Sequence, residues 1–272
     1  LAAHRNIPAF YYISPQVWAS RPGRALKIAR LVKEALVIFP FEEEIYRKAG
    51  CRVSFVGHPL LDSVPAPAEK PEVPEQCAFR IGILPGSRKS EITRHLPIFV
   101  QAFYKIKSVY PNARAYVFAV PEFPDEKLVP ALESVDRYWS KDIEIVREQD
   151  HRIRSTMDFA FTCSGTATLE NALMGIPMTV AYKMASFSFA IASRIAKVSY
   201  ISLVNILLKR PVVKELMQEK ANPAALAQEA LALLNNPPKM AAMRKEFLAL
   251  RGMLGNPGAA ERAAEKILGH LK

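Results

Sequence analysis

Cysteine is scarce in this sequence, and its three cysteines form no recognisable set. Cys51, Cys77 and Cys163 are odd in number and lie far apart along the chain. They predict neither a disulfide framework nor a pair of metal ligands, and they favour a reducing compartment such as the cytoplasm.

The sequence also lacks long apolar runs. Charged residues, prolines and polar residues interrupt every run before it approaches the ~20 residues that cross a bilayer. The chain begins Leu-Ala-Ala-His-Arg instead of Met, and no basic segment leading into an apolar one follows. We therefore expect a piece of a longer chain and not a secreted precursor. Internal repeats and low-complexity tracts are absent as well.

What the sequence has is the composition of a globular protein. Half of its 272 residues are apolar and 23% are charged, so disordered and fibrous classes are excluded. The length suggests about two domains of ordinary size. A net charge of +11 has three functional explanations: binding of nucleic acid, of an anionic membrane surface, or of small phosphorylated ligands. A basic surface without a partner explains it equally well.

Short apolar runs alternate with amphipathic segments throughout the first 62 residues. The pattern predicts strands at Ala9–Ile13, Leu36–Phe39 and Arg52–Val56, with helices beginning near Gly23 and near Glu42. Residues 63–78 contain several prolines in a short span, which is typical of a semi-rigid linker.

A second alternation of strands and helices follows the linker. Strands are predicted at Phe79–Leu84, Ala115–Val120, Ile143–Val146, Phe159–Cys163 and Met178–Tyr182. Alternation at this spacing predicts an α/β fold with a doubly wound parallel sheet. From Val212 onward we predict helices only. We expect the remainder of one domain at 1–62, a linker at 63–78, a Rossmann-like domain at 79–210 and C-terminal helices at 211–272.

The first candidate site is the turn Leu84–Arg88, between a predicted strand and a predicted helix. Ligands bind outside the carboxyl ends of such strands. Gly86 would let the backbone approach a ligand, Ser87 follows it, and Arg88 would bind a phosphate. The segment lacks the complete P-loop and dinucleotide-binding patterns. An ordinary turn with an exposed arginine therefore remains the alternative.

The second candidate site is the segment Cys163–Glu170, where another strand leads into another helix. Backbone amides near Gly165, with the hydroxyls of Ser164 and Thr166, would suit a diphosphate at the positive end of the helix. Glu170 lies about one turn further on, where its carboxylate would accept the hydroxyls of a ribose. An ordinary helix cap remains the alternative. The two turns together predict a nucleotide or nucleotide-sugar ligand.

Two further features have weaker support. Asn205 is polar within an apolar segment, which is consistent with a ligand contact or with a turn. Trp18 and the basic residues Arg24, Lys27 and Arg30 would suit an anionic lipid surface, or would form an ordinary solvated helix face.

Seven segments, in this order along the chain, resemble lipid-A-disaccharide synthases, which are glycosyltransferases of the GT-B type. They are Tyr12–Trp18, Phe39–Glu42, Val56–Pro59, Leu84–Arg88, Ser164–Glu170, Tyr200–Asn205 and Pro211–Gln218. The resemblance runs from about Pro8 to the end. A single segment is weak evidence, because the pattern Ser-Gly-Thr…Glu occurs in other GT-B enzymes, whereas the ordered set is specific.

The resemblance implies an inverting hexosyltransferase of lipid A biosynthesis in Gram-negative bacteria. UDP-2,3-diacylglucosamine and 2,3-diacylglucosamine 1-phosphate (lipid X) would give a disaccharide and UDP, with no cofactor and no metal. The residues implied on the UDP side are Gly86, Ser87, Arg88, Ser164, Gly165, Thr166, Glu170 and Asn205. A cytoplasmic enzyme at the inner-membrane surface is implied. The C-terminal helices are expected either to pack back on the first domain or to be exchanged between the protomers of a homodimer. Nucleic acid is not an expected partner.

The sequence departs from the family pattern in two places. The family has roughly a hundred further residues upstream, which complete the first Rossmann-like domain and carry the proposed general base. The first domain is therefore expected to be truncated here, and no catalytic residue is assigned. Val204 stands where proline is usual, so the loop that holds Asn205 is expected to differ from that of the family. The alternatives are a peptidoglycan glycosyltransferase, a UDP-N-acetylglucosamine 2-epimerase or, with less support, a basic nucleic-acid-binding protein.

Overall fold

The computed structural model describes residues 7–15, 23–67, 75–121, 123–184 and 199–270. Within them the chain divides into two compact units. The first contains the residues up to Ser63 together with those from Arg251 onward, and the second runs from Val64 to Leu250. Trp18 and most of the proline-rich segment, residues 68–74, lie outside the described ranges.

All described strands belong to two parallel sheets. The strands are β1 (Phe10–Tyr12), β2 (Glu34–Val37), β3 (Val53–Phe55), β4 (Arg80–Leu84), β5 (Arg114–Phe118), β6 (Ile143–Val146), β7 (Phe159–Cys163), β8 (Met178–Tyr182) and β9 (Lys214–Met217). The first unit has the order β1-β2-β3, and the second has the order β6-β5-β4-β7-β8-β9. The second order is that of a doubly wound fold, with its switch point between β4 and β7. The predicted α/β class is therefore confirmed.

Helices connect and flank these strands. The α-helices are α1 (Gly23–Ala29), α2 (Pro40–Lys48), α3 (Leu60–Ser63), α4 (Lys89–Lys107), α5 (Asp125–Glu133), α6 (Thr166–Leu173), α7 (Leu203–Leu208), α8 (Pro223–Leu234), α9 (Pro237–Met253) and α10 (Ala259–Gly269). None of those in the described ranges is both long and apolar enough to span a membrane.

In the first unit the central strand β2 is buried on both faces. Ala35 and Val37 pack with α1 and α2, whereas Leu36 points to the opposite face and contacts Ala263 of α10. Glu34 lies at the start of β2, where it accepts a hydrogen bond from Ser54 Oγ and lies 2.7 Å from His270 Nε2. The C-terminal helix therefore completes the core of the first unit.

One sequence prediction of the fold is wrong. The segment after Val212 was expected to be helical, but Lys214–Met217 forms β9, the edge strand beside β8. Its composition of Lys, Glu, Leu and Met favours helix. Pairing with β8, which buries Leu216, overrides that local preference.

Candidate functional site

A cavity of about 390 Å³ opens at the switch point of the six-stranded sheet. The residues that follow β4, β5, β6 and β7 line it. Because these strands are parallel, their carboxyl ends meet at one edge of the sheet, which is where doubly wound folds bind ligands.

The turn after β4 is held by a buried carboxylate. Glu91 accepts hydrogen bonds from the backbone amides of Ser87 (3.2 Å) and Arg88 (3.3 Å), and its other oxygen pairs with the Arg88 guanidinium at 2.9 Å. Gly86 has a φ of +109°, and a Cβ there would lie 2.6 Å from the Glu91 carboxylate. Only glycine therefore fits, and the side chain of Arg88 stays 77% exposed at the cavity.

The turn after β7 leaves the amino end of α6 open to the cavity. Gly165 precedes the helix with a φ of +149°, and both Gly165 and Thr166 are exposed. Ser164 Oγ donates to the carbonyl of Ile201 at 2.6 Å, which fixes the start of this turn. The first amides of a helix have no partner within the helix and carry partial positive charge, so this end can receive an anion.

Glu170 lies one turn into α6 and is paired with a buried arginine. Arg154 Nη1 donates to Glu170 Oε2 at 2.6 Å. Arg154 comes from a 3-10 turn, Arg154–Thr156, on the chain between β6 and β7. Burial lowers the pKa of this guanidinium, while the charge of Glu170 opposes that effect.

The part of the lining contributed by the chain after β5 is apolar and consists of Ala119, Val120 and Pro121. The strand β6 ends with Val146 and is followed in the lining by the polar or charged residues Glu148, His151 and Arg154. Burial lowers the pKa of His151, and the charge of Arg154 adds to the shift, so the imidazole is neutral at pH 7. The cavity thus has a charged side and a side suited to a flat, uncharged ring.

Cys163 is the last residue of β7 and lines the floor of the cavity. Burial raises the pKa of its thiol to about 12, with the charge of Glu91 contributing. The thiol therefore stays protonated at neutral pH and is a poor nucleophile.

The structure gathers all but one of the predicted site residues around this cavity. Lining it are Gly86, Ser87, Arg88, Ser164, Gly165, Thr166 and Glu170. Asn205 is not among them. It is buried in α7, where its side-chain amide donates to the Val213 carbonyl and to Glu215, and its oxygen accepts the Val213 amide. That these residues contact a ligand stays a prediction.

Sequence reasoning missed Glu91, His151 and Arg154. Glu91 was detectable, because a Glu three residues after Arg88 matches the spacing of a capping box. Arg154 carries no local signal, because its partner lies 16 residues away along the chain.

Comparison with known proteins gives consistent results along the chain. The family model "Lipid-A-disaccharide synthetase" matches residues 2–266. A lipid-A-disaccharide synthase of Syntrophus aciditrophicus is 41% identical over 285 residues, which cover 100% of this chain and 71% of the relative. A lipid-A-disaccharide synthase of Anaeromyxobacter dehalogenans is 38% identical over 279 residues, covering 98% of this chain and 70% of the relative.

A solved structure also matches. The crystal structure of UDP-GlcNAc 2-epimerase from Neisseria meningitidis bound to UDP-GlcNAc superimposes with a TM-score of 0.61, covering 98% of this chain and 71% of the other. At 11% sequence identity this likeness shows the fold alone. It agrees with the GT-B type of α/β fold.

Proposed function

The chain belongs to the lipid-A-disaccharide synthase family and is a glycosyltransferase, and we propose that it serves the reaction of that family. In that reaction a 2,3-diacylglucosamine unit passes from its UDP derivative to 2,3-diacylglucosamine 1-phosphate, and UDP is released. The observation that carries the proposal is the family match along nearly the whole chain, over a fold whose switch-point cavity has an open helix end on one side.

The geometry supports one orientation of UDP in the cavity. The diphosphate lies against the amino end of α6, with Arg88 on its exposed side. The ribose faces Glu170, since a carboxylate accepts hydrogen bonds from hydroxyl groups. The uracil ring then lies toward Val120 and Pro121, where the lining is apolar.

In this orientation the protein assists departure of UDP. As the bond to the sugar breaks, negative charge grows on the β-phosphate. The fixed amides of α6 and the guanidinium of Arg88 stabilise that charge, and they need little rearrangement because the turns that carry them are already held. The acceptor hydroxyl attacks the opposite face of the anomeric carbon, which gives inversion. We assign no base for that hydroxyl to residues of this chain.

The remaining partners follow from the lipid nature of the substrates. Lipid X is the proposed acceptor, and both substrates carry acyl chains, so the enzyme works at the inner-membrane surface as a peripheral protein. The net charge of +11 suits an anionic surface. A homodimer through the C-terminal helices is proposed as well.

Titration calorimetry of UDP into the folded chain tests the donor site. We expect saturable binding that Glu170→Ala and Arg88→Ala weaken by at least about tenfold, as expected when a charged hydrogen-bond partner is lost. Glu133→Ala, at an exposed position of α5 away from the cavity, is the matched control. Equal affinity in the Glu170, Arg88 and Glu133 variants would contradict the assignment of the cavity.

A product assay tests the reaction itself. UDP-2,3-diacylglucosamine and lipid X are supplied together and the disaccharide is measured, with UDP-N-acetylglucosamine alone in a parallel reaction. Disaccharide formation supports the proposal. Release of the 2-epimer from UDP-N-acetylglucosamine would instead indicate an epimerase.

A further inference from the structure

Arg154 makes three hydrogen bonds to a single helix. Nε donates to Asn171 Oδ1 at 2.8 Å, Nη1 to Glu170 Oε2 at 2.6 Å and Nη2 to the Ala167 carbonyl at 2.9 Å. All three acceptors belong to α6, and the side chain of Arg154 is only 7% exposed. One guanidinium therefore fixes both the backbone and the carboxylate of the helix that faces the cavity.

The turn that carries Arg154 is itself anchored. The Glu148 carboxylate accepts the backbone amides of Ile153 (2.6 Å) and Arg154 (2.7 Å). The guanidinium thus extends from a turn whose backbone is held by the Glu148 side chain. Glu148, Arg154 and Glu170 form a chain of contacts along one wall of the cavity.

This arrangement leaves Glu170 with two unlike oxygens. Oε2 is engaged by Arg154, and no donor in the described part of the chain bonds to Oε1. The ion pair also offsets the negative charge of Glu170, which would otherwise repel a phosphate bound at the amino end of the same helix. Arg154 itself has all three nitrogens directed at protein acceptors, so it is suited to positioning and not to contact with the ligand.

We propose that Arg154 is a positioning residue that sets ribose selectivity, because it holds Glu170 with one carboxylate oxygen directed to the hydroxyls of the nucleotide. This inference rests on the proposed function, since it takes the cavity as the site of UDP. By this inference, the selectivity for nucleotides that carry ribose hydroxyls depends on a buried residue that lies outside both strand-end turns.

The test compares UDP with 2′,3′-dideoxy-UDP, which lacks both hydroxyls, by titration calorimetry on the full chain. We expect the unaltered chain to prefer UDP by about 10–100-fold, the range of a hydrogen bond to a charged group. Arg154→Met should reduce the preference to about threefold or less, chiefly by weakening UDP. Arg154→Lys, which keeps the positive charge beside Glu170, should restore an intermediate preference.

A purely structural role gives a different result. Arg154→Met would then weaken both nucleotides by the same factor and leave their ratio unchanged, and that result would overturn the inference. If Arg154→Met does not fold by circular dichroism, Arg154→Lys alone decides, and an unchanged ratio in that variant refutes the inference.

Two outcomes separate this inference from the proposed function. A chain that binds UDP but keeps its preference in Glu170→Ala retains the proposed function and loses the inference, because Glu170 would not be the ribose acceptor. A folded chain that binds neither nucleotide overturns both.

Discussion

Replacement of Gly86 by alanine tests the structure of the turn after β4. An alanine Cβ at this position would lie 2.6 Å from Glu91 Oε2, 2.7 Å from Glu91 Cβ and 3.1 Å from Cys163 Sγ. Such distances force the neighbours to move. The backbone φ of +109° is also unfavourable for any residue with a Cβ. Gly86→Ala therefore combines backbone strain with displacement of the carboxylate that holds the turn.

The expected loss of stability has two parts. A strained backbone costs ~1–3 kcal/mol. Displacing Glu91 from two backbone amides costs ~1–2 kcal/mol more, while its ion pair with the exposed Arg88 adds little. The total of ~2–5 kcal/mol corresponds to a fall in Tm of ~4–20 °C for a unit of this size.

Two other glycines serve as matched controls. Gly165 has a φ of +149° with nothing within 4 Å of an added Cβ, so Gly165→Ala should show strain without a clash. Gly252 lies within α9 in open space and has no positive φ, so Gly252→Ala should stabilise the helix by up to ~1 kcal/mol.

Thermal denaturation of the three variants, followed by UDP titration of those that fold, checks the reasoning. We expect Gly86→Ala to lose the most stability and Gly165→Ala less, with Gly252→Ala unchanged or more stable. A Gly86→Ala variant as stable as Gly252→Ala would refute the described packing of Glu91 against this turn.

Three further predictions concern single side chains. Glu91→Gln keeps an acceptor for the turn but removes the ion pair that orients the Arg88 guanidinium, so UDP affinity should fall by about 2–5-fold in calorimetry. The control is Glu42→Gln, in the equivalent capping box of α2, which should leave UDP affinity unchanged. Burial lowers the pKa of His58 to about 4, so the unfolded chain binds more protons between pH 6.5 and 4, and stability falls as the pH is lowered through that window. In urea unfolding, the fall in unfolding free energy from pH 7 to pH 4.5 should be smaller by ~2 kcal/mol in His58→Gln than in the unaltered chain, and an equal fall in both would contradict the burial of this imidazole. Asn205→Ala should cost ~2–4 kcal/mol in urea unfolding, because the amide and carbonyl of Val213 lose their partners, and its effect on UDP affinity should be smaller than that of Glu170→Ala.

The sequence predicted the second unit well because its signals are local. The strands Ile143–Val146, Phe159–Cys163 and Met178–Tyr182 have the predicted bounds. Phe159–Cys163 and Met178–Tyr182 are short apolar runs bounded by turn residues, and burial on both faces of a parallel sheet makes such runs conspicuous. Ile143–Val146 is an edge strand, and its apolar residues are interrupted by the exposed Glu144. The turns that follow β4 and β7 were identified for the same reason.

The edge strand β9 shows where local signals fail. Leu216 is buried, but the flanking residues Glu215 and Met217 are partly or fully exposed, so the segment lacks a continuous apolar run. Glu215 instead accepts the amides of Ile201 and Ser202 and the side chain of Asn205. A polar residue that stabilises a distant loop looks, in the sequence, like a residue of a solvated helix.

Asn205 and Arg154 show two ways in which prediction of a site from sequence fails. Asn205 was predicted and does not line the cavity, whereas Arg154 was not predicted and does line it. Asn205 belongs to a recognisable segment, yet its amide is used to hold α7 against Val213 and Glu215. The segment that contains Asn205 contacts the cavity lining through its backbone, because Ser164 Oγ donates to the carbonyl of Ile201 at the start of that segment. Arg154 has no recognisable segment, yet it directly bonds the carboxylate that faces the cavity. A motif therefore indicates which segments meet at a site. Which side chain faces the ligand and which one supports the fold depends on contacts between residues far apart in the sequence. Only the folded positions of Glu148, Arg154 and Glu170 reveal such contacts.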